Sequence, residues 1–176
     1  MSDWTRFDWI DEATDAATIA LVAADGHTPE AVLGRLGPIR PLGDLDFGAA
    51  AEAGMDLYER DVYDQQGVVQ ASVLEGAGRA WVVTLEENGY RADLQLDRLA
   101  GVHSAVSFFW NVNAVMRVQR REHGVEVESF DPLLDRPDEE HPHAASLALI
   151  EDWTGVTLTE DWFAGPKPTY LVESQV

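Results

Sequence analysis

Residues 104–132 read SAVSFFWNVNAVMRVQRREHGVEVESFDP. Val106, Phe108, Trp110, Val112, Ala114, Met116 and Val118 share one parity in this run, and Ser107, Asn111, Asn113, Arg117, Gln119 and Arg121 share the other. A period of two marks pleated strand with one buried face. The run is therefore expected in the middle of a sheet, with Phe108 or Trp110 among the most buried side chains. It cannot be one straight strand. Residues 104–121 at ~3.3 Å each would span roughly 60 Å, against a radius of gyration of about 16 Å for a compact chain of this length. A bend is expected at Asn111-Val112-Asn113, because Asn tolerates left-handed backbone angles. A two-residue turn at His123-Gly124 then separates two alternating runs, setting Arg121 against Glu126 and Gln119 against Glu128.

Working outward, residues 4–25 carry Phe7, Ile10, Ala13, Ala17, Ala20 and Leu21 at helical spacing, which predicts an amphipathic helix ended by Gly26. A short second helix follows, with Thr28 as N-cap, Pro29 at its first position and Val32, Leu33 and Leu36 as its buried stripe. Residues 37–46 read as a loop and 47–58 as a helix weakened by Gly54. Strands are expected over 68–74 and 80–86, with Asn88-Gly89 as a turn and a helix over 93–100. A last helix spans 143–153 with Gly155 as its stop, and Thr159 caps a turn carrying Trp162 and Phe163. The fold class is α+β: a mainly antiparallel sheet of about five strands, with N- and C-terminal helices packed on it. Residues 1–165 are expected to form a single domain, and 166–176 a loosely held tail.

The 176 residues hold 32 acids against 12 bases, a formal charge of −20. Such a chain is repelled by phosphate backbones and anionic bilayers, so direct nucleic-acid binding and membrane association are not expected. Cysteine is absent, which excludes disulfides, thiolate metal sites and cysteine nucleophiles. With no long apolar run and no basic leader visible, a cytoplasmic location is expected. No catalytic signature stands out, neither a G-x-S-x-G elbow nor a phosphate-binding glycine loop nor H-E-x-x-H, and no cofactor is expected.

Four groups of residues are candidate sites. Trp110, Asn111 and Asn113 join an aromatic ring and two amides at the break in the central run, where a sheet irregularity can line a pocket. Glu86 and Glu87 lie beside the Asn88-Gly89 turn, with Asp131 as a third carboxylate for acid–base work. Arg117, Arg120 and Arg121 form a basic cluster suited to an anion, although pairing with Glu126 and Glu128 across the hairpin is the plainer account. His141 and His143 follow Asp138, Glu139 and Glu140 and are weak metal-ligand candidates, since Pro142 restricts their convergence.

The blocks HTPEAVLGRLG, WVVTLEENGY, SFFWNVNAVMR, EHG, SFDPL and LIEDWTGVTLT, spread over residues 7–163, resemble a family of small actinobacterial proteins that share a domain of unknown function. The resemblance implies an actinobacterial cytoplasmic protein and carries no activity, cofactor or catalytic residue. The charge points to an acidic interaction module that binds, and neutralises or sequesters, a basic protein partner. The alternative is a small-molecule or catalytic pocket near Asn111 and Asn113, with Trp110, Glu86 and Arg117 as further ligand-binding residues.

Overall fold

Seven consecutive residues, Ala17–Ala23 (β1), are buried on both faces of a sheet in the computed structural model, which describes residues 3–174. A 3-10 turn at Trp4–Phe7 and α1 (Ile10–Ala13) precede β1. After it come α2 (Pro29–Leu33), β2 (Ile39–Leu45), α3 (Phe47–Glu59), β3 (Gln66–Gly76) and β4 (Arg79–Glu87). Then follow α4 (Arg91–Leu94), α5 (Leu96–Ala100), β5 (Ala105–Trp110), β6 (Met116–Glu122) and β7 (Val125–Phe130). The chain continues through α6 (Pro132–Asp135), α7 (Pro142–Thr154), α8 (Glu160–Ala164) and β8 (Lys167–Glu173).

The sheet has eight strands in the order β2-β8-β3-β4-β1-β5-β6-β7, and the neighbours run antiparallel. Alternation along each strand sends side chains to two separate cores. Ile19, Leu21, Phe108, Trp110, Leu147 and Ile150 pack on the face covered by α1 and α7. Ala20, Val22, Val82, Leu96 and Leu99 pack on the face covered by α2 and α5. The fold is α+β with an antiparallel sheet, as the hydrophobic patterning implies, but the sheet has eight strands rather than about five.

The extra strands come from stretches whose patterns mislead. Residues 17–23 lie between β4 and β5 and bury both faces, so they show no alternation, and their alanines imitate helical spacing. Residues 39–45 are an edge strand with a register shift between Pro41 and Gly43, both at home on an edge. Residues 167–173, expected as part of a loose tail, lie between β2 and β3. Lys167 holds that strand's start, donating from Nζ to the carbonyls of Trp162, Phe163 and Gly165 at 2.5, 2.9 and 2.7 Å. Gln175 and Val176 lie outside the described residues.

The central run folds as β5, β6 and β7, with Phe108 and Trp110 fully buried and stacked at 4.7 Å. It occupies one end of the strand order rather than the middle, and exposed β7 is an edge. The reversal after Trp110 is an Asx turn: Asn111 Oδ1 accepts from the backbone of Asn113 at 2.9 Å and Val115 at 3.2 Å. The left-handed residue there is Ala114 rather than an Asn. His123 and Gly124 both have positive φ and set Arg121 against Glu126. A bulge then shifts the pairing, so Gln119 faces Ser129 and not Glu128.

Candidate functional site

A cavity of about 470 Å³ opens where β3 begins and β4 and β5 end. One wall is α3, through Gly54, Met55, Leu57 and Tyr58. The opposite wall is the sheet end: Gln66, Val68 and Gln70 from β3, Glu86 and Glu87 from β4, and Trp110 from β5. Tyr63, Tyr90, Asn111 and Asn113 complete the rim from the adjoining loops. The Tyr58 and Tyr63 rings lie 5.1 Å apart, giving this side an aromatic edge.

Two glycines make the sheet end possible. A Cβ on Gly67 would come within 2.5–2.8 Å of Nη1, Cζ and Nε of Arg91, so the guanidinium lies flat against glycine backbone. From there Arg91 Nη2 donates to the carbonyls of Gln66, at 2.7 Å, and Tyr63, clamping the approach to β3. A Cβ on Gly89 would stand 2.7 Å from that of Glu86. Its absence lets Glu86 tuck under the turn and accept from the backbone N–H groups of Ala92, at 2.8 Å, and Arg91, at 3.3 Å.

Burial pushes the Glu86 carboxyl up from the usual carboxylate range, against those two hydrogen bonds and the nearby Arg91 charge, while Asp93 adds to the rise. Burial alone raises Glu87. Among the described residues no hydrogen-bond partner holds the Glu87 carboxylate, which leaves it available to the cavity.

Two more lining groups are short of partners. Gln70 Nε2 donates to the carbonyl of Leu45 at 2.6 Å, which fixes the amide's orientation and leaves the buried Oε1 with no partner. Arg91 Nε is likewise buried and unpaired. Native structures rarely leave buried polar atoms unmet.

Glu86, Trp110, Asn111 and Asn113 thus come together on one cavity, although Asn111 spends its side-chain oxygen on the turn. Arg117 is not among the lining residues. It binds the buried Asp93 through Nε, at 2.7 Å, and Nη2, rather than a ligand or the hairpin glutamates. Asp131 is also elsewhere, capping α6 through the backbone of Leu133 and Leu134. His143 Nδ1 lies 2.9 Å from Asp11 Oδ1, and His141 stacks on Trp4 at 4.2 Å. No group of three or more metal-ligating side chains occurs among the described residues. Arg120 and Arg121 line a separate cavity at the other end of the sheet.

Tyr58, Tyr63, Tyr90, Gln70 and Arg91 were not foreseen. A Gln amid the β-branched residues of a strand is the one available signal, because a polar group at a buried position needs a reason. The tyrosines sit in segments whose pattern says only helix and loop. No helix among the described residues is long and apolar enough to cross a membrane.

No curated protein sequence and no solved structure matches the chain. Residues 3–143 match the family model DUF6461, described as a family of unknown function. That match covers well over half of the chain, which therefore belongs to the DUF6461 family.

Proposed function

We propose that the protein is a small-molecule-binding domain whose ligand occupies the cavity between α3 and the ends of β3, β4 and β5. The observation that carries this reading is the pair of buried, unpartnered atoms on its wall, Gln70 Oε1 and Arg91 Nε. Leaving each unmet costs about 1–3 kcal/mol, which a ligand or ordered water recovers. The volume lies in the range of ligand pockets, ~300–1,000 Å³. The acceptors Gln70 Oε1 and Glu87 and the donor Arg91 Nε, beside the rings of Tyr58, Tyr63 and Tyr90, favour a ligand with an apolar or aromatic body that carries both a hydrogen-bond donor and an acceptor. The test is a thermal-shift screen of metabolites, in which a ligand at 100 times its Kd stabilises by about 2.7 kcal/mol. A hit must vanish when the cavity is filled from Gly54; a hit that survives places binding elsewhere.

A second reading is an acidic interaction module that captures a basic protein. It draws on the charge of −20 and on the exposed Glu52, Asp56, Glu59, Asp61 and Asp64 along and after α3. Capture from lysate at low and high salt separates the two readings. Charge-driven binding fades as the screening length falls from ~10 Å at 0.1 M to ~3 Å at 1 M, and an apolar cavity's ligand does not.

A further inference from the structure

We infer that the smaller cavity at the opposite end of the sheet, where β4 and β5 begin, is a site for a small oxyanion of the phosphate or sulfate class. It has a volume of about 150 Å³ and is lined by Arg79, Arg120 and Arg121, with Trp81, Trp153 and Ser104 beside them. A chain with only 12 bases sets three of its arginines around one hollow. Arg120 and Arg121 are strand neighbours and point to opposite faces, and both line the hollow together with Ser104 and Ala105 where β5 begins.

The competing account is that each arginine is spent on an acid. Arg79 binds Asp25 through Nε and Nη2 at 3.2 and 2.9 Å, and Arg120 Nη2 binds Glu122. Arg121 Nη2 donates to the carbonyl of Gly124 at 2.8 Å, and its Nη1 stands 3.8 Å from Glu126. Those pairings leave donors over. Trp81 Nε1 and Arg121 Nε are both buried without a partner, and Trp81 is 95% buried (5% exposed). These orphans are N–H groups, which ask for an acceptor. Glu122 is the one carboxylate on the lining, and Arg120 already holds it.

A tetrahedral oxyanion fits this set. Its oxygens accept from guanidinium N–H groups, and such charge-assisted bonds are roughly twice as strong as neutral ones. The cavity admits an anion of that size but not a nucleotide. The −20 of the whole chain does not forbid it, because distant charges are screened beyond about 8 Å at physiological salt.

The test is titration of the ¹⁵N-labelled full chain with inorganic phosphate and with glycerol phosphate at constant ionic strength, reading the Trp81 indole N–H resonance assigned with Trp81→Phe. A saturable shift with either, absent with chloride, is expected, and the tighter of the two tells whether the site takes a free anion or the phosphoryl end of a larger molecule. Arg121→Met, shown folded by its melting curve, should weaken binding about tenfold or more, as loss of a charge-assisted hydrogen bond requires, while Arg60→Gln leaves it unchanged. No saturable shift, an equal response to chloride, or full affinity in folded Arg121→Met would overturn the inference.

Discussion

Asp93 and Arg117 form a carboxylate–guanidinium pair in which the acid is fully buried and the base still reaches water. Arg117 Nε donates to Oδ2 at 2.7 Å, while Oδ1 accepts from Ser107 Oγ at 2.9 Å and Gln119 Nε2 at 2.7 Å. One side chain of α4 therefore ties β5 to β6. Asp93→Ala would strand the buried Ser107 hydroxyl and unpair Arg117, while the Gln119 amide keeps only its 3.1 Å bond to the Asp93 carbonyl. A loss of about 3 kcal/mol is expected, at the low end for a broken buried pair because Arg117 can turn to solvent. Urea unfolding checks this, and Arg117→Ala should cost at least as much, because it leaves the fully buried Asp93 carboxylate without its cation. A clearly cheaper Arg117→Ala would mean that the bonds from Ser107 and Gln119 alone sustain the buried carboxylate.

Glu86 gives a pH signature. Its folded carboxyl is raised by burial, so from the usual carboxylate range up to the raised value the folded state keeps a proton that the unfolded state has released. The unfolded state then binds fewer protons, and stability falls as pH rises through that window. Glu86→Gln removes this contribution. The difference in stability between variant and wild type should move in the variant's favour as pH rises, measured by chemical unfolding across the acidic to neutral range. Taking the difference cancels His143, whose imidazole burial lowers and which acts with the opposite sign. A pH-independent difference would show that Glu86 is ionised at no cost.

Lys167 is expected to matter more than a lone lysine in an acidic chain suggests. Burial pushes its ammonium down to about 8, yet at neutral pH it stays charged and meets three carbonyls at the end of α8. A cation there also complements the helix dipole. Lys167→Met should lose about 2–4 kcal/mol by leaving those acceptors unmet, measured by chemical unfolding. A variant within a few tenths of wild type would mean that water replaces the ammonium.

The contrast between β8 and the β6–β7 hairpin explains what the sequence discloses. His123-Gly124, Thr28, Thr159 and Gly155 act locally: each states its turn, cap or stop within a few residues, and each does so in the structure. β8 pairs with β2 and β3 across long stretches of chain, and β1 hides its strand character by being buried on both faces. The candidate site follows the same division. Asn111, Asn113 and Glu86 could be singled out because turn signals mark where strands end, and the cavity lies at strand ends. The pairing of Arg117 is not legible in the sequence, because its partner Asp93 belongs to a helix 24 residues away. Gln70 and Arg91 draw their meaning from partners that only tertiary packing supplies.

Gly54 links the helix to the cavity. It interrupts α3 with the poorest helix former other than Pro, at a cost of roughly 1 kcal/mol relative to Ala, yet the helix runs through it. A Cβ there would meet nothing within 4 Å, and Gly54 lines the cavity, so the missing side chain is empty space on the cavity side. Gly54→Ala should raise stability by about 0.5–1 kcal/mol through helix propensity alone. Gly54→Leu should at least match the wild type in stability, because its side chain extends into open volume rather than packed atoms. If the cavity is the binding site, Leu removes the ligand-induced rise in melting temperature while Ala leaves most of it. Destabilisation by Ala would show that the helix surface there is already occupied. Undiminished ligand stabilisation in a folded Gly54→Leu protein would move the ligand away from α3.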